Sequence, residues 1–223
     1  MYVLVVDTAT PAVTAAVVEV NPGAVILRSV RTTVNPRAHG ELLAPAIRTV
    51  LDDVDVAMPD LGAVIAGVGP GPYTGLRVGL VTATAIAQVL DVPSYGVCSL
   101  DGIGGSDPAA GRLLAATDAR RREIYWRVYE RAAPVTEPAV DRPDAVAERI
   151  AALAVTRAVG EGALRYADVL GVPTGEPHYP DPLVLAGIAA ERIRSAAPSE
   201  PLTPLYLRRP DVAAPATRKP VLH

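Results

Sequence analysis

Two aspartates stand where this sequence could do chemistry. Asp7 ends the apolar run Tyr2–Val6 and precedes Thr8-Ala-Thr10, and Asp118 ends Arg112-Leu-Leu-Ala-Ala-Thr117 and precedes Ala119-Arg-Arg-Arg122. Each run reads as a buried strand and each polar stretch as a turn, with a second β-rich segment following at Val13–Val20 and Glu123–Glu130. Carboxylates at the ends of first strands, beside a hairpin loop, hold Mg²⁺ and orient water in two-lobed ATPases. Such a loop needs glycine to bring its backbone close to a phosphate. The first hairpin offers Thr8, Thr10 and Thr14 but no glycine, and the second offers arginines. The residues therefore point to a retained scaffold rather than to nucleotide hydrolysis, with Asp7, Thr8, Thr10, Asp118 and Arg120 as a vestigial nucleotide or anion site. The plain alternative is that each Asp caps its turn.

Other chemistries find less support. The three histidines, His39, His178 and His223, include no i,i+4 pair, and there is no C-x-x-C, so no zinc scaffold is visible. No G-x-S-x-G occurs, which weakens a serine hydrolase. His39 and Glu41 are spaced as an acid–base pair at a helix start, although a cap-region His explains them equally. Lys219 is the only lysine, which removes Lys-based phosphate or Schiff-base chemistry from the folded body. The single cysteine, Cys98, rules out an internal disulfide, fits a reducing cytoplasm and reads as a small buried hydrophobe.

The elements that would position these groups are organised around Gly67-Val-Gly-Pro-Gly-Pro-Tyr-Thr-Gly-Leu-Arg-Val-Gly79, with five glycines and two prolines in thirteen residues. It follows the strand-like run Ala63–Val68 and leads into a helix from about Thr74 to Leu90. The loop lacks the Lys-Ser/Thr of a P-loop and carries Pro72 where a dinucleotide fingerprint needs its third glycine, so a tight turn without ligand is expected. Between Arg77 and Asp91 the helix has no charged side chain, so it is buried on more than one side. Gly75, Gly79, Ala83 and Ala87 recur every fourth residue and form a ridge that lets another backbone approach. The ridge faces either the chain's own sheet or a second helix from another domain or subunit, and the second is the expectation adopted. A helix opened by His39-Gly-Glu41, with Leu42, Leu43 and Ile47 on one face, would complete that interface.

At 223 residues and 50% hydrophobic, the chain can bury one substantial core or two small ones, and no apolar run reaches membrane-spanning length. The segment Met1–Asp7 reads as a strand, not a signal peptide. A net charge of −3 gives no global field for nucleic acid. The repeated order of strand, terminal Asp, polar turn and hairpin return predicts two related α/β halves, 1–100 and 101–210, with a loose Pro/Ala-rich tail at 211–223. Helices are expected at Pro143–Val155 and Pro182–Ala197, and an extended segment at Pro201–Pro210.

Several stretches resemble the TsaB (YeaZ) family: Leu4-Val-Val-Asp7-Thr-Ala-Thr10, His39-Gly-Glu41-Leu-Leu43, Gly69-Pro-Gly-Pro-Tyr-Thr-Gly-Leu-Arg77, Asp118-Ala-Arg120 and Pro204-Leu-Tyr-Leu-Arg208. They run in order over nearly the whole chain, and the Gly69–Arg77 motif is the specific one. The resemblance implies an actin/Hsp70-like (ASKHA) fold of two RNase H-like halves, the second degenerate. It also implies a cytoplasmic, non-catalytic subunit of the machinery that makes threonylcarbamoyladenosine beside the tRNA anticodon. The implied partners are a TsaD-type catalytic subunit, a TsaE-type ATPase, tRNA through the complex, and a second copy when the chain is alone. No cofactor is implied for this chain itself, ATP or ADP and Mg belonging to the complex. The H-x-x-x-H metal motif of TsaD is absent, since Leu43 follows His39 by four, and its glycine-rich adenosine motif is reduced to Val159-Gly-Glu-Gly162. Where the family usually has Ser-Phe this chain has Pro72-Tyr73. The rivals are an autonomous actin-like ATPase or kinase and a glycoprotease-like peptidase, for which no nucleophile–base pair is visible. Arg120–Arg122 would repel one another in bulk water and are expected to face a partner or tRNA.

Overall fold

A computed structural model describes residues 1–107 and 111–208. The expected tail at 211–223 lies outside the described residues. The chain opens with β1 (Tyr2–Asp7), β2 (Ala12–Val20), β3 (Val25–Val34), α1 (His39–Asp52), β4 (Leu61–Gly67), α2 (Tyr73–Leu90) and β5 (Ser94–Val97). After the short α3 (Asp101–Gly104) come β6 (Arg112–Asp118), β7 (Ile124–Glu130), β8 (Ala133–Pro134), β9 (Ala139–Asp141), α4 (Pro143–Ala152) and β10 (Arg157–Val159). Then follow α5 (Glu161–Arg165), α6 (Ala167–Leu170), β11 (Thr174–Gly175) and α7 (Pro182–Arg194). The result is a mixed α/β protein with two sheets.

The two sheets repeat one topology. The first has the order β3-β2-β1-β4-β5 and the second β11-β10-β6-β7-β8, which reads backwards as the same order. In both, the first hairpin is antiparallel and the later pairs are parallel, β1 with β4 and β4 with β5 matching β6 with β10 and β10 with β11. Asp7 and Asp118 end equivalent central strands, paired with Thr14 and Ile124. This duplicated order is consistent with two RNase H-like halves.

The central strands β1 and β4 are apolar along Val3–Val6 and Ala63–Ala66 because both faces are covered there. Leu4, Val6, Val64 and Ala66 pack against α1 and α2, while Val3, Val5, Ala63 and Ile65 pack against Leu185, Ala186 and Ala189 of α7. Helix α7 follows the second sheet in sequence but covers the first. Its alanines let it lie close on β1 and β4. In the second sheet Leu114, Ala116, Trp126 and Val128 pack with Val146 and Ile150 of α4, and the opposite face holds Leu113, Tyr129 and Ile103 of α3.

Beyond α7 the chain runs as a strap across both sheets. The Leu205 N–H donates to the Val68 carbonyl at 2.8 Å, Leu207 packs with Leu100, Ala119 and Tyr125, and Arg208 donates to the Ala119 carbonyl at 3.3 Å. Helix α2 is long and apolar enough to cross a membrane by length and composition alone. Its ridge Gly75, Leu76, Gly79, Leu80, Ala83 and Ala87 is buried against the rest of the chain, while apolar residues of the opposite face stay exposed.

Candidate functional site

The carboxyl of Asp7 is walled in. It is 1% exposed, its Oδ1 accepts the Ala9 N–H at 2.9 Å, and its Oδ2 accepts the Ser99 hydroxyl at 2.6 Å. A Cβ on Gly67 would sit 1.7 Å from Oδ2, so only glycine lets β4 pass there. Burial raises this carboxyl from 3.8 to about 6, against the pull of Ser99, the Ala9 N–H and the charge of His39. The loop after β1 is covered as well, since a Cβ on Gly71 would lie 2.0 Å from the Ala9 carbonyl oxygen. A metal ion or phosphate does not fit at this strand end. Asp7 and Ser99 pair a carboxylate with a hydroxyl, but Ser99 is 1% exposed and also accepts the Gly69 N–H at 3.2 Å, which leaves no room for an incoming carbonyl.

Thr8 explains the glycines of α2. Its hydroxyl donates to the Gly75 carbonyl at 2.8 Å and accepts the Gly79 N–H at 2.9 Å, fastening the first turns of the helix to the end of β1. A Cβ at Gly79 would be 2.5 Å from Thr8 Oγ1, and one at Gly75 would be 3.0 Å from the Thr8 carbonyl oxygen. Ala83 and Ala87 continue the ridge into the same core, joined by Leu43 and Ile47 of α1, with Leu42 half-buried against it. This corrects the expected interface. Leu43, Ile47, Gly75, Gly79, Ala83 and Ala87 face the chain's own sheet and loop, because the small residues are what let α2 reach Thr8.

The second strand end is more open. A cleft of about 420 Å³ between the two sheets is lined by Thr8, Thr10, His39, Asp118, Arg120 and Arg165, among others, so four of the five residues expected at a nucleotide or anion site converge while Asp7 stays sealed behind them. His39 Nε2 donates to the Thr10 carbonyl at 2.8 Å, which fixes the imidazole as a loop anchor. Asp118 accepts Arg165 Nη1 at 3.0 Å and the Arg120 N–H at 3.2 Å, while its own N–H donates to Glu161 Oε1 at 2.8 Å. Burial raises the Glu161 carboxyl. Cβ atoms at Gly160 and Gly162 would meet the β6 backbone at 2.1 and 2.6 Å, so α5 is packed hard against this strand end. Asp118 thus orders its own turn.

That turn is strained. Arg120, Arg121 and Arg122 have φ of 60°, 54° and 61°, a run of three left-handed residues that occurs once among the described residues. Each costs about 1–2 kcal/mol for a side chain other than glycine.

Sequence reasoning missed the outer face of α2. Arg77, Val81, Ala85 and Val89 recur at four-residue spacing opposite the ridge, with Val81 66% and Val89 84% exposed. Tyr73 and Tyr206 stack at 5.4 Å between ring centroids, Arg77 lies 4.1 Å above the Tyr73 ring, and its Nε donates to the Tyr206 hydroxyl at 3.0 Å. The uncharged stretch after Arg77 was a signal for this face; the contribution of Tyr206, from the distant strap, had none. Cys98 sits half-buried, and burial pushes its thiol up to about 12, away from nucleophilic use at neutral pH.

Comparison with known proteins agrees with this architecture. The family model described as TsaD, tRNA N6-adenosine threonylcarbamoyltransferase, matches residues 30–214. An uncharacterized protein of Mycobacterium tuberculosis is 45% identical over 94% of this chain and 92% of its own length. The tRNA threonylcarbamoyladenosine biosynthesis protein TsaB of Escherichia coli is 34% identical over 59% of this chain and 56% of its own length. YeaZ from Pseudomonas aeruginosa, a solved structure, is 27% identical with a TM-score of 0.76, covering 92% of this chain and 99% of that one. With a family model spanning most of the sequence and a shared fold over nearly all of YeaZ, the chain belongs to the TsaB/YeaZ family.

Proposed function

We propose that this protein acts in the biosynthesis of threonylcarbamoyladenosine in tRNA, as a non-catalytic subunit that binds and activates a TsaD-type transferase. The observation that carries the reading is the contrast between the two faces of α2. The inner face is locked to a strand end whose carboxylate is sealed, so the position where a related enzyme would hold metal and phosphate is filled by the chain itself. The outer face carries bare valines beside an arginine–tyrosine stack, the composition of an interface hot spot. Among the described residues no group of three or more His, Cys, Asp and Glu is placed to hold a metal ion. A TsaE-type ATPase joins the assembled pair and supplies any need for ATP and Mg²⁺. Alone, the chain pairs with a second copy through the same α2 face.

Reconstitution tests the proposal. A TsaD-type enzyme, a TsaE-type ATPase, threonylcarbamoyl-adenylate and unmodified tRNA are expected to yield the modified base only when this chain is added. The pure chain is expected neither to modify tRNA nor to turn over ATP. Formation of the base by the pure chain, or by the other components without it, would overturn the proposal.

The interface makes its own prediction. Val81→Asp combined with Val89→Asp places two charges on the outer face without touching the core. Association with the TsaD-type partner is expected to weaken by at least about tenfold, while the melting temperature changes by no more than about 2 °C. Unchanged affinity in a titration by calorimetry would show that the partner docks elsewhere.

A further inference from the structure

We infer that the β6–β7 turn is where this protein holds RNA: Arg120, Arg121 and Arg122, with Arg37 and Arg165 beside them, contact the phosphodiester backbone of the tRNA on which the complex acts. The inference rests on the role in tRNA modification proposed above, and adds to it a surface and a class of contact.

Three observations converge. The first is composition against conformation. All three arginines are exposed and all three adopt a left-handed backbone that glycine or asparagine would occupy with little strain. A turn serving only to reverse the chain has no use for arginine at these positions.

The second is rigidity. The Ala119 N–H donates to the Glu123 carbonyl and the Glu123 N–H to the Arg120 carbonyl, both at 2.9 Å, and Asp118 Oδ1 accepts the Arg120 N–H. Arg208 of the strap clamps the base of the turn through the Ala119 carbonyl and Glu123. The guanidinium groups therefore project from a fixed platform, with little backbone freedom to lose on binding.

The third is charge. The chain carries a net charge of −3, yet three arginines, Arg120, Arg37 and Arg165, line the cleft beside the turn, against two carboxylates, Asp118 and Glu161. Within the cleft Asp118 pairs with Arg165, and at the base of the turn Glu123 pairs with Arg208.

This surface suits phosphate better than a protein. Arginine forks bind phosphate oxygens in bidentate fashion, and successive residues of a helical turn point about 100° apart, so the three fan out along a curved polyanion. An acidic protein surface would be expected to meet apolar residues at the centre of the contact, and the tip of this turn offers arginine alone.

The test uses the full chain, alone and assembled with its TsaD-type partner, and an unmodified tRNA transcript with adenosine 3′ of its anticodon. Arg120→Asn, Arg121→Asn and Arg122→Gly together remove the charge while fitting the left-handed backbone, so the melting temperature is expected to hold or rise. Affinity for the transcript at physiological salt is expected to fall roughly ten- to a hundredfold. The slope of log affinity against log salt should flatten by about 2, as lost phosphate contacts require. Replacing all three by lysine should retain most of the affinity. Unchanged affinity and salt slope in the neutral variant would overturn the inference and leave the proposed function intact. So would loss of partner association with unchanged tRNA binding by the pure chain, which would assign the turn to an acidic protein surface. If the wild-type chain neither joins the transferase nor supports modification, the proposed function fails, and that is read from reconstitution without reference to this turn.

Discussion

Gly79→Leu is expected to lower the melting temperature by roughly 10 °C and to leave the outer face of α2 competent to bind at low temperature. The Cβ alone would lie 2.5 Å from the Thr8 hydroxyl, and the rest of the side chain has to enter a core already filled by Leu43, Ile47 and Leu76. Overpacking of this kind costs about 1–3 kcal/mol. Displacing Thr8 also leaves the Gly79 N–H and the Gly75 carbonyl without their buried partner, for about 1–3 kcal/mol more. For a chain of this length each kcal/mol moves the midpoint by about 2–4 °C. A scan of the variant beside Val81→Asp with Val89→Asp separates the two faces of one helix. A melting point within about 2 °C of wild type for Gly79→Leu, with partner binding lost, would return the ridge to the interface.

The ridge shows where a sequence stops being informative. Small residues every fourth position report that a backbone comes close, and it does. Which backbone comes close was not written in the helix. The answer lay with Thr8, about seventy residues earlier, whose side chain was weighed only as a ligand for phosphate. Hydroxyls in a loop without glycine look alike whether they face a nucleotide or the start of a helix.

The duplicated topology was more legible. Strand, terminal Asp, polar turn and return strand recur at Asp7 and Asp118, and the two sheets do share one strand order. The destination of α7 was not legible, because its alanine-rich pattern suits any close-packed sheet. Convergence of Thr8, Thr10, Asp118 and Arg120 on one cleft followed from placing both strand ends at equivalent points. Asp7 was expected among them and is not. The difference between the two aspartates lies in their neighbours: Gly67 and Ser99 close over the first, while Arg165 and the Arg120 N–H hold the second at the cleft wall. Equivalent positions in a repeat thus carry a sealed carboxylate on one side and an ordered, accessible turn on the other. That asymmetry favours a protein whose working surfaces are the outer face of α2 and the arginine turn, rather than a strand-end metal site.

The sealed carboxylate has a measurable consequence. Asp7 ionises at about 6 when folded, against 3.8 for the ordinary group, with burial as the main cause. The folded state therefore holds its proton where the unfolded chain has released it, and between about pH 4 and 6 the native protein binds more protons. Stability from this group is present below about pH 4 and lost as pH rises through 6. The shift corresponds to about 3 kcal/mol at 1.36 kcal/mol per pH unit. Asp7→Asn carries no titrating proton and retains an oxygen for the Ala9 N–H, so it serves as the reference in which all other groups titrate as before. Wild type is expected to lose about 2 kcal/mol of stability relative to Asp7→Asn between pH 4 and pH 6.5, read from urea unfolding at each pH, the remainder of the shift lying below pH 4. A stability difference that stays flat across that interval would mean that the Asp7 carboxyl is ionised throughout, and that Ser99 and the Ala9 N–H outweigh its burial.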